Sequence, residues 1–295
     1  MLRKLIMTGI ASFALLLGQA NAETTIVVGG KKFTEQQVVA EMTSQLLKNN
    51  GFKVDKRVDL GSSVLRAAQE NGQIDVYWEY TGTSLVTYNK ILERMNAEDT
   101  YKKVKELDAA KGLTWLNPSK ANNTYGLAMR KAEAEELGIK TLSDLSRVVN
   151  EGKTLKFASN AEFYSRADGL RPLQDLYGFE FPRKDVTRMD GGLTYQALKD
   201  QQVNVALILA TDGRIGAYDF VVIEDDKGFF PSYALTPVIR TEVAEKNPKL
   251  VELLNNLSAK LDDTTMVELN KRVDVGRESI EDVSSQFLKQ NNLVK

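Results

Sequence analysis

One segment of the chain occurs twice, and this repeat constrains the fold more than any other feature of the sequence. A strand-like run over residues 73–83 has a weaker counterpart over residues 202–213. Both copies begin with glutamine, an aliphatic residue, aspartate or asparagine, and valine, and both follow a predicted helix. When the copies are aligned, Leu209 of the second corresponds to Tyr80 of the first. Because open α/β sheets bind ligands at strand ends, the repeat predicts two similar lobes that face one cleft.

The order of elements around the first copy predicts a mostly parallel sheet flanked by helices. Apolar strands at Thr25–Val28, Lys53–Val58 and Ile74–Tyr77 alternate with helical patterns, and this βαβαβ order is typical of α/β folds. Thr34 and Gln37 have the spacing of a capping box at the start of the first helix. A second α/β set spans residues 156–209, so we expect a second sheet of the same kind.

The predicted fold class is therefore α/β, with two lobes that the chain connects twice. A strand at Thr236–Arg240 is expected to return to the first sheet. We expect lobe 1 to comprise residues 23–127 and 234–295, and lobe 2 to comprise residues 128–233. The two crossings, near residues 128 and 233, would form a hinge for closure around a ligand.

The N-terminus has the pattern of a cleavable signal peptide over residues 1–22. Arg3 and Lys4 precede an apolar run from Leu5 to Leu17 that is too short to span a bilayer, and Ala20-Asn21-Ala22 has the small-residue pattern of a cleavage site. The chain contains no cysteine, which excludes a lipid anchor on an N-terminal cysteine. We expect a free protein in the periplasm.

The composition disfavours an enzyme. Without histidine or cysteine the chain cannot form a Ser-His-Asp triad, a cysteine nucleophile, or an imidazole or thiolate metal site. We therefore expect no metal, no cofactor and no catalytic residue. The 39 basic and 40 acidic residues nearly balance without a basic run, so nucleic acid is not an expected partner.

Three tyrosines mark the predicted cleft. Tyr80 lies at a strand end, and Tyr125 and Tyr233 lie near the two crossings. Several ring faces around one point suit a quaternary ammonium group, which donates no hydrogen bonds and is held by cation–π attraction. The alternative for each tyrosine is ordinary half-buried packing with a satisfied hydroxyl group.

Polar residues at the loops between strands and helices could bind an anionic group. Lys31 follows Gly29-Gly30 at a strand-to-helix turn, where backbone N–H groups favour anions, and Arg166 lies in the matching loop of the second set. The alternatives are a solvated Lys31 and an Arg166 that pairs with Asp168. Thr83 could donate a hydrogen bond to a ligand or cap the next helix.

Two acidic residues near the predicted cleft, Glu79 and Asp212, are candidates for catalysis. Neither has a base or a metal-ligand cluster near it in the sequence, so a catalytic role is not expected for either residue.

These motifs together resemble the substrate-binding proteins of ABC importers for glycine betaine, choline and related osmoprotectants. The resemblance covers essentially the whole chain after residue 22. It rests on the segments Val28–Gln36, Asp75–Thr83, Asn123–Leu127, Arg166–Gly169, Thr211–Gly213 and Glu224–Tyr233.

The resemblance implies a type II periplasmic-binding-protein fold and a role in osmotic stress. Tyr80, Tyr125 and Tyr233 match the box that takes the trimethylammonium head. Lys31, Thr83 and Arg166 match the contacts of the ligand carboxylate. The implied partners are an inner-membrane ABC permease with its cytoplasmic ATPase, and a monomer is the default for this architecture.

Leu209 departs from the family pattern, which usually has a fourth tyrosine at this position. A leucine packs against methyl groups but lacks a ring quadrupole, so its presence predicts a loss of about 1 kcal/mol, or roughly fivefold in affinity.

The sequence leaves open three alternatives to an osmoprotectant-binding protein. The same fold could bind another zwitterionic or cationic solute, such as an amino-acid derivative; a polyamine fits less well because Lys31 and Arg166 are basic. A histidine-free lyase or transferase on a two-lobed scaffold is a second alternative. A ligand-loaded adaptor for a membrane sensor is the third, and it would differ only in its partner.

Overall fold

The computed structural model describes residues 25–295, and the expected signal peptide at residues 1–22 lies outside this part of the chain. Within it, ten strands form two five-stranded sheets. The strands are β1 (Thr25–Lys31), β2 (Lys53–Leu60), β3 (Val76–Tyr80), β4 (Leu113–Trp115), β5 (Tyr125–Arg130), β6 (Phe157–Ser159), β7 (Val186–Arg188), β8 (Val205–Leu209), β9 (Phe220–Ile223) and β10 (Leu235–Arg240).

Helices surround both sheets. They are α1 (Thr34–Asn49), α2 (Ser62–Glu70), α3 (Thr81–Thr83), α4 (Ala97–Ala109), α5 (Lys131–Glu136), α6 (Leu142–Asn150), α7 (Ala161–Ser165), α8 (Leu170–Tyr177), α9 (Gly191–Lys199), α10 (Arg214–Ala217), α11 (Thr241–Lys246), α12 (Pro248–Ser258), α13 (Asp263–Asp274) and α14 (Ile280–Gln290), with a π-helical segment at Ser84–Tyr88 and a 3₁₀ turn at Arg183–Asp185. None of the helices within residues 25–295 combines the length and the apolar character needed to cross a bilayer.

The two sheets have the same strand arrangement. Their orders are β2-β1-β3-β10-β4 and β7-β6-β8-β5-β9, so that β3 and β8 are the central strands. In the first sheet β1 is parallel to β2 and β3, whereas β10 is antiparallel to β3 and β4. In the second sheet β6 is parallel to β7 and β8, whereas β5 is antiparallel to β8 and β9. The predicted two-lobed α/β class is confirmed, and each sheet is mixed because the strand that follows a crossing enters it antiparallel.

The chain passes between the lobes in two short connections that lie side by side. The first covers residues 116–124, between β4 and β5, and the second covers residues 224–234, between β9 and β10. Asn122 and Ala234 form an isolated antiparallel bridge, and the N–H of Asn123 donates to the carbonyl of Tyr233 at 3.2 Å. The boundary expected after residue 127 falls inside β5, which pairs only with strands of the second sheet.

The first lobe is built around strand β3 and helix α1. All five residues of β3 are buried, because the strand lies in the middle of the sheet with helices packed on it. The two tryptophans of the lobe, Trp78 and Trp115, are 0% and 1% exposed. Each indole N–H finds a buried acceptor, the hydroxyl of Thr43 at 2.9 Å and the carboxylate of Asp108 at 2.8 Å, so the polar atoms of both rings are satisfied.

The capping box predicted at Thr34 is wrong. Helix α1 begins at Thr34, so Phe33 holds the N-cap position and no side chain caps the helix. The hydroxyl of Thr34 instead donates to the carboxylate of Asp274 at 2.7 Å. A distant partner thus replaces the local hydrogen bond that the spacing suggested.

Candidate functional site

A cavity of about 700 Å³ lies between the two lobes. Its walls come from the ends of β1, β3 and β8, the starts of α1 and α9, and the two connections between the lobes. The seven residues that the sequence singled out for ligand binding all line it: Lys31, Tyr80, Thr83, Tyr125, Arg166, Leu209 and Tyr233. The folded chain therefore brings together residues that are up to two hundred positions apart.

The three tyrosines converge from three separate segments. Tyr80 is the last residue of β3, Tyr125 is the first residue of β5, and Tyr233 lies two residues before β10. The rings of Tyr125 and Tyr233 meet edge to face, with centroids 5.5 Å apart and planes at 79°. Phe33 stacks on Tyr80 with centroids 6.1 Å apart, so a fourth ring borders the cavity. This arrangement offers several aromatic faces to one space.

Lys31 is buried rather than solvated. Its side chain is 3% exposed, and its ammonium group forms an ion pair with Glu79, which is 0% exposed. Glu79 also accepts hydrogen bonds from the hydroxyl of Tyr77 at 2.8 Å and from the N–H of Tyr80 at 2.7 Å. The ammonium nitrogen lies 5.0 Å from the centroid of the Tyr80 ring. The charge of Lys31 is thus balanced inside the protein.

Arg166 is also paired. Its guanidinium group grips Asp168 with two hydrogen bonds of 2.7 Å, and the Tyr233 hydroxyl donates to the same carboxylate at 2.5 Å. The guanidinium carbon lies 5.5 Å from the centroid of Tyr125 and 6.0 Å from that of Tyr233. The salt bridge to Asp168 that the sequence left open is therefore present, and it holds Arg166 against two rings of the cavity.

Thr83 and Leu209 occupy corresponding rims of the two lobes. Thr83 lies in α3, and its side chain does not cap the helical turn that follows. Leu209 ends β8, pairs across the sheet with Tyr125, and donates its backbone N–H to the hydroxyl of Tyr195 at 2.8 Å. Tyr195 itself is 2% exposed and lines the cavity from helix α9. Tyr195 is a cavity residue that the sequence did not single out, because nothing in the sequence shows which face of its helix meets the cavity.

Both candidate acids are engaged in ion pairs. Glu79 is paired with Lys31, and it lies behind the cavity wall. Asp212 accepts from the Nε–H and the Nη2–H of Arg214 at 2.9 Å and 2.5 Å. The Arg214 guanidinium carbon in turn lies 4.2 Å from the centroid of Tyr195. Each of the two carboxylates is thus committed to a neighbouring cation.

Glu35 is another cavity residue that sequence reasoning missed. It lies in the first turn of α1 and is 2% exposed, although it borders the cavity. One carboxylate oxygen accepts from the hydroxyl of Tyr80 at 2.7 Å and from the amide of Asn123 at 2.9 Å. The other accepts from the hydroxyl of Thr211 and from the amide of Asn270 at 3.3 Å. Burial raises the pKa of Glu35 above its usual value, although the four hydrogen bonds oppose that shift.

Two further contacts join the lobes at the mouth of the cavity. Glu162 of lobe 2 accepts from the hydroxyl and the backbone N–H of Ser62, at the start of α2 in lobe 1, at 2.9 and 3.3 Å. The exposed pair of Lys32 and Asp190 spans the opening at 3.0 Å. The lobes are thus in contact outside the two connections as well.

Comparison with known proteins places the chain in a family. The family model described as the substrate-binding domain of ABC-type glycine betaine transport systems matches residues 24–290. A glycine-betaine-binding protein of Pseudomonas aeruginosa is 44% identical over 300 residues, which cover 100% of this chain and 96% of that protein.

Two solved structures are also similar. Apo YehZ from Escherichia coli has a TM-score of 0.68 at 34% identity and covers 92% of this chain and 100% of its own. A glycine betaine/carnitine/choline ABC transporter structure has a TM-score of 0.74 at 28% identity and covers 91% of this chain and 99% of its own.

Proposed function

The chain belongs to the family of substrate-binding domains of ABC-type glycine betaine transport systems, and on this premise we propose that it captures a quaternary ammonium solute between its lobes and delivers it to an ABC permease. Glycine betaine is the first ligand to test, because the relative from Pseudomonas aeruginosa is named for binding it. The observation that carries the proposal is the convergence of Tyr80, Tyr125 and Tyr233 on one cavity between the lobes.

The trimethylammonium head would lie among the aromatic rings. It cannot donate hydrogen bonds, so ring faces can attract it without leaving a donor unsatisfied, and each cation–π contact contributes about 0.5–2 kcal/mol. The edge-to-face contact between Tyr125 and Tyr233 and the stacking of Phe33 on Tyr80 support the rings. Leu209 would contact the methyl groups, and the missing fourth ring would weaken binding.

A ligand carboxylate would be received by Lys31, Thr83 and Arg166. All three line the cavity. Because Lys31 and Arg166 are already paired with Glu79 and Asp168, they would share their N–H donors between the internal carboxylate and the ligand. The side chain of Thr83 makes no helix-cap hydrogen bond, so Thr83 is the simplest donor of the three.

The protein would act by binding and release without turnover. Glu79 and Asp212, the two acids that the sequence singled out for catalysis, are both held by cations. We place the mature protein in the periplasm as a monomer, with an inner-membrane permease and its ATPase as partners. Transport of labelled ligand into proteoliposomes that hold the permease, with and without this protein, would test the delivery step.

A larger solute is the second candidate. The cavity is also lined by residues 188–192 and by Tyr195 in the middle of α9, and a structural neighbour is named for carnitine and choline as well as glycine betaine. A longer quaternary ammonium compound would reach this part of the cavity, whereas glycine betaine would leave it to water.

Isothermal titration calorimetry with glycine betaine tests the proposed function. We expect one-to-one binding to the mature protein that is lost in Tyr80→Ala and kept in Tyr101→Ala, a matched change outside the cavity. Ligand binding should also raise the melting temperature, since only the folded protein binds. Absence of heat at millimolar glycine betaine would exclude this ligand and direct the search to other cations and zwitterions.

A further inference from the structure

The carboxylate of Glu35 is buried and has no cationic partner, whereas Glu79 and Asp168 are each paired with a basic side chain. Its four donors, from Tyr80, Asn123, Thr211 and Asn270, are all neutral. None of the ion pairs among residues 25–295 includes Glu35. Four donors stabilise the ionised form of a carboxylate, but they leave its charge uncompensated.

The neighbouring charges cancel in pairs. Lys31 is balanced by Glu79, and Arg166 is balanced by Asp168. Both pairs are almost fully buried, with side chains 0–7% exposed. Among the charged groups that these contacts join to the three tyrosines, Glu35 is therefore the one without a cationic partner.

Glu35 contacts one of the three cavity tyrosines, Tyr80, directly. The hydroxyl of Tyr80 donates to Glu35, and the ring of the same residue borders the cavity. A cation bound on this ring would lie within about 6 Å of the ring centroid, and hence near the carboxylate at the hydroxyl end. In a site that excludes water, attraction between such charges is much stronger than in bulk solvent.

We propose that Glu35 is a specificity-determining residue, which favours quaternary ammonium ligands that carry a net positive charge over zwitterions with the same head group. The inference rests on the proposed function, because it requires the cation to bind among these rings. A zwitterion carries its own carboxylate a few ångströms from the head, so Glu35 attracts one end and repels the other. That second carboxylate must also compete with Glu79 and Asp168 for Lys31 and Arg166.

Choline and glycine betaine are suitable probes, since they share the trimethylammonium head and differ in net charge. Calorimetric titration of both ligands should show that Glu35→Gln weakens choline by about tenfold and glycine betaine by less than about threefold. Glu35→Asp keeps the charge and should keep the ratio of the two affinities within about twofold. Glu41→Gln is the matched control, since Glu41 also lies on α1 but pairs with Lys56 at the surface, and neither affinity should change.

Equal weakening of both ligands by Glu35→Gln would indicate a structural role and overturn the proposal. Thermal unfolding checks that each variant is folded. If Glu35→Gln does not fold, the unmodified protein decides: a preference for glycine betaine over choline of more than about tenfold overturns the proposal, and a preference for choline supports it. Failure of both ligands to bind the unmodified protein would overturn the proposed function and this inference with it.

Discussion

The two central strands of the molecule end in different ways at the same cavity. In lobe 1, Tyr80 ends β3 and lies opposite Leu235 of β10. In lobe 2, Leu209 ends β8 and lies opposite Tyr125 of β5. Each strand pair thus contains one tyrosine and one leucine, with their positions exchanged between the lobes. Because directly opposite residues share one face of the sheet, each lobe presents one ring from this pair.

The two strand ends differ in how their last side chain is supported, because Leu209 has no ring where the first copy of the repeat has Tyr80. Tyr80 is fixed through its hydroxyl by Glu35. Leu209 has no such group, and its backbone N–H binds the hydroxyl of Tyr195, which approaches from a helix and is covered by Arg214. Lobe 1 therefore supplies its aromatic group from the strand end, whereas lobe 2 keeps an aromatic group beside the strand end.

The largest expected contrast between the lobes concerns their buried arginine–aspartate pairs. Arg66 and Asp108 of lobe 1 share two hydrogen bonds of 2.7–2.8 Å with Asp108 0% exposed, whereas Asp212 of lobe 2 is 7% exposed. Removing one partner of a fully buried pair costs about 3–5 kcal/mol. Asp108→Asn should lower the free energy of unfolding in urea by about that much, and Asp212→Asn by less. Similar losses of unfolding free energy in the two variants would mean that the two arginine–aspartate pairs contribute equally to stability.

Acid should weaken lobe 1 through the same pair. Burial alone would raise the pKa of Asp108, but the hydrogen bonds and the charge of Arg66, together with hydrogen bonds from Asn89 and Ser84, outweigh it and lower the pKa from 3.8 to about 2. The folded state thus binds this proton less readily than the unfolded state, so the contribution is complete above about pH 4 and is lost as the pH falls toward 2. It amounts to about 2 kcal/mol. Unfolding titrations between pH 5 and pH 2 should show a shallower slope for Asp108→Asn than for the unmodified protein.

Removal of single hydroxyl groups compares the two strand ends directly. Tyr80→Phe takes a donor from a buried carboxylate and should cost about 1.5–3 kcal/mol of stability. Tyr195→Phe leaves the N–H of Leu209 without its acceptor and should cost about 1 kcal/mol. Thermal unfolding of the two variants measures the difference. A larger loss for Tyr195→Phe would mean that the second strand end depends more on its side-chain support.

The smallest effect is expected from restoring the ring in lobe 2. Leu209→Tyr would place a second aromatic side chain directly opposite Tyr125 and should raise the affinity for the quaternary ammonium ligand about fivefold. Leu209→Met, which changes shape without adding a ring, should leave the affinity within about twofold. An affinity that falls in the tyrosine variant would show that the space beside Tyr125 is already filled.

The sequence predicted the parts of the molecule that depend on local pattern. Apolar periodicity and the repeat predicted the strands around residues 25–80 and 186–209 and the segments that return between the lobes. The same periodicity predicts a helix over Leu85–Met95, and this prediction extends too far, because helical structure stops at Tyr88 and Lys90 takes a left-handed conformation with φ of 60°.

Pairing across long distances could not be predicted. Glu35 meets partners that lie 45, 88, 176 and 235 positions away, and no spacing in the chain signals such a contact. Lys31 and Arg166 were correctly identified as basic residues near the cleft, but Glu79 reaches Lys31 only through the pairing of β1 with β3. Residue type indicated what the site could bind, and the fold determined which of its charges were already balanced.

We propose that the two paired connections between the lobes act as the hinge on which the cavity opens and closes. The N–H of Asn123 donates to the carbonyl of Tyr233 where the two connections lie side by side, whereas Lys32 and Asp190 form an exposed ion pair between the lobes. In a rotation of the lobes about an axis through the connections, displacement grows with distance from the axis. Tyr125 and Tyr233 would therefore move little, and residues far from the connections would move most. An arriving solute would therefore find these two rings already in place. Spin labels at Lys32 and Asp190 should separate far more on ligand removal than labels placed beside the pivot, and equal separations would mean that the lobes move apart without a fixed axis.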